Sequence, residues 1–124
     1  DAGGVVYYAN YLNFLERART ESLVSLGFSN KKIKDEFGAL IIVKSCSIDY
    51  KKSAYLEDEL SIRSFVKSIT KTSFFMNQFI SRGEDIIVEA KVHLVFVNNK
   101  GKPMRIPGSI FQDFKPYFCD SIKV

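Results

Sequence analysis

Asp1 stands at the head of Asp1-Ala2-Gly3-Gly4-Val5-Val6-Tyr7-Tyr8-Ala9-Asn10-Tyr11. A carboxylate therefore sits in a glycine-containing loop that feeds directly into a helical pattern. The first N–H groups of a helix have no partner within it, and that end carries partial positive charge. Such amides suit the oxyanion of an acyl-transfer reaction. A carboxylate beside them can attack a thioester or activate water. An ordinary turn before a helix uses the same residues, so the loop alone points towards acyl or phosphate chemistry without fixing it.

The elements after the loop must position it. Tyr11, Leu15, Ala18, Ser22 and Leu26 recur at helical spacing, which predicts a helix from about Asn10 to Leu26. Leu12, Phe14 and Leu23 widen the stripe to the width of a buried helix. Glu16, Arg17, Arg19 and Glu21 fill the remaining surface, and Gly27 is a stop signal. Strands are expected next. Leu40, Ile42, Cys46, Ile48 and Tyr50 alternate, with Lys44 as the exception. A second strand runs from Leu60 towards Thr70, and a Phe-rich third spans Ser73 to Arg82. In the fourth, Ile86, Val88, Ala90, Val92, Leu94 and Phe96 share one face, with Ile87, Glu89, Lys91, His93, Val95 and Val97 on the other. Arg82-Gly83-Glu84-Asp85 and Asn98-Asn99-Lys100-Gly101 are turn signals, and Lys71-Thr72 is a tight link. Short connections imply antiparallel neighbours. Ser109 to Phe114, after Pro107, reads as a short terminal helix. One helix followed by a meander gives a single α+β domain over residues 1–124.

Composition bounds the rest. At 124 residues and 46% hydrophobic, the chain can bury a core unaided. Its eleven Phe and absent Trp predict a Phe-rich interior. A net charge of +4 suits a phosphate-bearing ligand as well as nucleic acid. The positive residues are scattered among acids, however, which disfavours a nucleic-acid module. Cys46 and Cys119 form no CxxC and have no Cys/His cluster around them, so no metal site is expected. They read as reduced thiols of a cytoplasmic protein, with a disulfide between them as the other reading. No apolar run reaches the roughly 18–20 residues that span a bilayer, and no signal peptide opens the chain.

The run from Asp1 through Asn10-Tyr11, continuing into Glu16-Arg17-Ala18-Arg19, resembles the signature of the 4-hydroxybenzoyl-CoA thioesterase family. It is most similar to the Tol–Pal-associated acyl-CoA thioesterase branch. The likeness extends through Ile48-Asp49-Tyr50, Lys71-Thr72-Ser73-Phe74 and Pro107. It implies a hotdog fold, in which a curved antiparallel sheet wraps a long helix. It also implies a strand upstream of Asp1, which these residues lack, so a longer parent chain is expected.

The resemblance implies hydrolysis of acyl-CoA or acyl-carrier-protein thioesters. Asp1 matches the catalytic carboxylate, as nucleophile or general base. The backbone N–H at Tyr8 would polarise the thioester carbonyl. The Tol–Pal-associated branch usually carries His at that position, whereas the 4-hydroxybenzoyl-CoA enzymes resemble this chain in having Tyr. Gly4, Val5 and Asn10 fall in the active-site loop, and Glu16 lies near the site. Lys71, Thr72 and Ser73 fall where the family binds the CoA phosphates. No cofactor is implied beyond the CoA of the substrate. A homodimer or homotetramer is implied, because sites of this family lie between subunits.

Each of these residues also has a plainer reading. Glu16 can pair with Arg19, and Asn10 can cap the helix. Arg17 and Arg19 can be surface or helix-to-sheet pairs. Lys71 can be a solvated turn lysine, and Lys100, Lys102 and Arg105 a solvated hairpin tip. His93, the lone histidine, is expected at a surface or subunit contact. Phe74, Phe75 and Phe79 are expected in the core. The competing function is a non-catalytic acyl-CoA binder or scaffold of the same fold.

Overall fold

The computed structural model describes residues 8–55, 57–114 and 121–123, with side chains from 10 to 55 and from 57 to 112. Helix α1 spans Tyr8–Ser25, two residues earlier at its start than the apolar spacing alone suggests. It ends where Gly27 adopts φ 90°, a left-handed conformation that costs a side-chain-bearing residue energy. A second helix, α2 (Asn30–Phe37), lies outside the elements expected from apolar spacing. Its signals are local: Ser29 caps the start by accepting the Lys32 N–H, and Gly38 ends it at φ 63°. One buried residue, Ile33, carries its packing, so periodicity gave little to read.

Strands β1 (Leu40–Tyr50), β2 (Ser61–Ile69), β3 (Ser73–Arg82) and β4 (Asp85–Val97) follow, then α3 (Gly108–Phe114) and β5 (Ser121–Lys123). They form one antiparallel sheet in the order β1-β4-β3-β2-β5. Strand β5, also not expected from the sequence, pairs with β2 over only three residues. The tight turns fall where Gly and Asn mark them. Gly83 takes φ 60° between β3 and β4, and the Asn98 side chain accepts the N–H groups of Lys100 and Lys102.

Three register shifts alter the expected faces. The register of β1 slips between Val43 and Ser45, so Ile42 and Cys46 point to opposite sides. Ile41, Val43, Cys46, Ile48 and Tyr50 face the same way as Val88, Ala90, Val92, Leu94 and Phe96. A second slip lies between Val66 and Ser68 in β2, and a third between Ile80 and Ser81 leaves Ile87 unpaired with β3, so that Ile87 is buried with Val88 while Ile86, expected on the apolar face, is exposed. The Phe group divides by strand alternation. Phe74 is fully buried, Phe75 is exposed on the opposite face, and Phe79 is half-buried there.

Helix α1 lies on one side of the sheet. Tyr11, Leu15 and Ala18 are each about 1% exposed. Tyr11 and Leu15 pack in one cluster with Ile80, Ile87, Val88 and Ala90. Leu23, near the helix end, joins a second cluster with Phe28, Ile33, Val66, Phe74, Met76, Phe96 and Ile106. Each such side chain contributes about 1.5–3 kcal/mol when removed from water. The stripe is narrower than predicted, because Leu12, Phe14 and Val24 are exposed.

The segment after β1 is fastened by polar contacts. Asp58 Oδ2 accepts the Tyr55 N–H at 2.8 Å and Arg82 Nη1 at 2.9 Å. The same Arg82 nitrogen donates to the Ser53 carbonyl at 3.2 Å. The Tyr55 N–H first, and then Arg82, hold the Asp58 carboxyl below its ordinary range. A depressed folded-state pKa gives stability that is fully present above the unfolded value of about 3.9 and is lost as pH falls towards and through the lower folded value. Asp58→Asn should therefore lower Tm at pH 7. Its Tm should also fall less than the parent's between about pH 5 and pH 2. Parallel Tm curves across that range would contradict the assignment.

Candidate functional site

Asp1, Gly4 and Val5 lie outside the described residues, so the site is built from the helix they precede. Tyr8 is the first residue of α1. Its N–H is one of the orphan amides that open a helix. No acidic residue occupies the helix's own first turn. The positive end of the dipole is therefore left for a group from outside the helix. Asn10 is inside the first turn and exposed, so it does not cap the helix. Glu16 is exposed one turn past Leu12.

Three polar contacts fix α1 against the sheet and the segment that follows β1. The buried Tyr11 hydroxyl accepts the Ala54 N–H at 3.0 Å, and its ring lies 5.8 Å from that of Tyr50. Gln78 Nε2 donates to the Leu15 carbonyl at 3.0 Å. Arg19 Nη1 donates to Gln78 Oε1 at 3.0 Å. Arg19 is thus a helix-to-sheet tie to Gln78. Burial pushes its guanidinium below the ordinary value, offset in part by nearby groups that include the Glu16 carboxylate. Gln78 belongs to no motif in the sequence. A polar residue amid Phe-rich alternation was the available signal, since a glutamine there must be satisfied in the core.

The basic residues gather elsewhere. Lys71 and Thr72 turn between β2 and β3, where the Ile106 N–H donates to the Lys71 carbonyl and the Phe96 N–H to that of Thr72. Phe96 and Ile106 belong to the cluster under the end of α1. The turn therefore lies at the opposite end of the sheet from Tyr8, and within one chain Lys71, Thr72 and Ser73 do not meet the start of the helix. Ser73 is buried and bonded to Thr70. Lys71 and Arg105 together line a cavity of about 240 Å³ beside α3. Lys44, Thr72 and Ser73 line a neighbouring one of about 260 Å³. Among the described residues, none of Lys44, Lys71, Lys100, Lys102 and Arg105 lies within 4.0 Å of a carboxylate. The ion pairs Lys51–Asp49, Lys52–Asp85 and Arg82–Asp58 all cluster at the end where α1 begins.

His93 sits on the face away from α1, as expected. It stacks on Phe75 with ring centroids 4.0 Å apart. Cys46 is an exposed free thiol, and Cys119 lies outside the described residues. The described residues hold no group of three or more His, Cys, Asp or Glu fit for a metal, and no helix among them is long and apolar enough to cross a membrane.

A long helix laid on an antiparallel sheet is the arrangement of the hotdog fold. The profile of the thioesterase-like superfamily matches residues 1–114, and the chain belongs to that family. It is 40% identical over 117 residues to the acyl-CoA thioester hydrolase YbgC of Escherichia coli O6:H1, covering 93% of this chain and 87% of that protein. It is 36% identical over 111 residues to the acyl-CoA thioesterase YbgC of Haemophilus influenzae, covering 89% and 82%. Among solved structures, a probable thioesterase from Bartonella henselae superposes with a TM-score of 0.79 at 35% identity, covering 86% and 89%. The hotdog fold and the thioesterase family expected from the sequence are both shown.

The Tyr11 contact can be checked alone. Tyr11→Phe removes the acceptor of a buried N–H and should cost about 1–3 kcal/mol of unfolding free energy in urea. The slope against urea should not change, because the ring is kept. A loss near zero would mean that the Ala54 N–H finds another partner.

Proposed function

We propose that the protein hydrolyses acyl-CoA thioesters to the free acid and CoA. The observation that carries this is the start of α1 at Tyr8, with no acidic residue in its own first turn and with Tyr11 fixed to the Ala54 N–H, in a chain of the thioesterase family. The Tyr8 N–H and its neighbours receive the thioester oxygen and stabilise the negative charge that develops there. Asp1 attacks the carbonyl carbon or takes a proton from the attacking water. Gly4 and Val5 shape the loop, and Asn10 and Glu16 border it. The chain's part of the chemistry needs no metal or redox cofactor. The E. coli and Haemophilus relatives bear acyl-CoA names, while more distant plant relatives are named for acyl-carrier-protein thioesters. The closer pair favours CoA as the carrier.

The working unit is at least a dimer, in the cytoplasm. Strand β1 is an edge strand of eleven residues. Leu40, Ile42, Val43 and Tyr50 along it are exposed. An open apolar edge of this length is a template for another strand. Antiparallel pairing of two β1 strands sets the basic end of one copy beside the start of α1 in the other. Lys71 and Arg105 of one copy can then hold the CoA phosphates of a thioester at the other copy's helix. A tetramer would add a second contact to this dimer.

Thiol release from a panel of aliphatic and aromatic acyl-CoAs tests the reading, using a chain that includes any residues upstream of Asp1. The parent should turn over, and Asp1→Asn should lose about 100-fold or more in kcat. Lys71→Ala should raise KM with kcat little changed, as expected for binding shared by ground and transition states. Tight CoA binding without turnover of any panel member would replace hydrolysis with a non-catalytic binder.

A further inference from the structure

We infer that Gln78 is a positioning residue, which with Arg19 sets where α1 lies along the sheet and so where its first-turn amides meet the substrate. This rests on the thioesterase reading above for its functional consequence, though not for its structural one. Gln78 is on the inner strand β3, between Ser64 of β2 and Ala90 of β4, and is 0% exposed. Its Nε2 donates to the Leu15 carbonyl and to Ser64 Oγ, each at 3.0 Å. Its Oε1 accepts from Arg19 Nη1 at 3.0 Å. Leu15 and Arg19 stand on successive turns of one helix face. A single amide, itself tied to the neighbouring strand, therefore reads two points along the helix axis.

This gives α1 something that its apolar contacts do not. Hydrophobic burial is non-directional and tolerates small sliding. Hydrogen bonds at about 2.7–3.2 Å do not, and a buried amide that loses them is left unsatisfied. The Tyr11–Ala54 contact ties the helix to a loop, whereas Gln78 ties it to an inner strand. From Leu15 to Tyr8 is roughly 10 Å along the axis at about 1.5 Å per residue. Over that distance a helix is stiff, so a shift at Leu15 is carried to the Tyr8 amide.

The test compares Gln78→Met, which keeps the side-chain length and removes both hydrogen-bonding functions, with Arg19→Met and Arg19→Lys. Ile33→Ala in α2 is the control for lost stability, since Ile33 lies in the core cluster away from the start of α1. All are measured for acyl-CoA hydrolysis and for amide hydrogen exchange of residues 8–15, well below their Tm. Gln78→Met should lower kcat about tenfold or more, with KM within about threefold. It should also speed exchange across residues 8–15. Arg19→Met should move the same way, and Arg19→Lys should restore most of the rate because it still donates to Gln78. Ile33→Ala should lose Tm without either effect. Parental kcat and exchange in Gln78→Met would overturn the inference, as would an equal loss of kcat in Ile33→Ala. Should Gln78→Met not fold, the Arg19 pair decides. A parent that hydrolyses no thioester would end the thioesterase reading, and the exchange comparison would still decide whether Gln78 fixes the helix.

Discussion

A helix terminus can work as a catalytic group only if it stays where the fold puts it, and here that constraint is met by burying α1 on the sheet. Tyr11, Leu15, Ala18 and Leu23 drive the contact. Their burial carries the stability, but it does not by itself choose a position along the axis. The choice falls to polar groups buried in the same layer, at Tyr11, Gln78 and Arg19. Both kinds of contact are needed. Apolar area supplies most of the free energy, and a few directed bonds supply the register.

The charge distribution follows the same geometry. Near the start of α1, each of Lys51, Lys52 and Arg82 is paired with a carboxylate. At the far end, Lys44, Lys71, Lys100, Lys102 and Arg105 stand without carboxylate partners among the described residues. A thioester of CoA has a neutral reacting centre and a polyanionic handle. A sheet with its unpaired bases gathered at one end matches that division when two copies run in opposite directions. Among the described residues β1 is an edge strand, which permits that arrangement.

The elements with strong periodicity are legible in the sequence. Helix α1 and the four long strands repeat apolar residues at fixed spacing over many positions, and the tight turns carry Gly and Asn where the backbone needs them. The β1 faces differ from simple alternation because a bulge at Lys44 shifts them by one residue, and a bulge leaves no residue-type signal of its own. Helix α2 is hard to see because one buried Ile gives no period, although its Ser29 and Gly38 caps are there to find. Leu12 and Phe14 look like core but face outward, since residue type does not report which side of a helix meets the sheet. For the proposed site, Asp1 lies outside the described residues, and the sequence offers its carboxylate and the Tyr8 amide as an expectation. The distance between Tyr8 and Lys71 is not legible there, because it depends on strand order. Gln78 is hidden for a related reason: its partners are 14, 59 and 63 residues away in sequence.

Whether the start of α1 receives the thioester is best decided by a crystal structure with a non-hydrolysable acyl-CoA analogue, its thioester sulfur replaced by methylene. The carbonyl oxygen should lie about 2.7–3.2 Å from a first-turn amide of α1. The Asp1 carboxylate should stand beside the carbonyl carbon, and the nucleotide phosphates against Lys71 or Arg105 of a second copy. An analogue seated elsewhere, with the start of α1 facing only solvent, would contradict a catalytic role for that helix end.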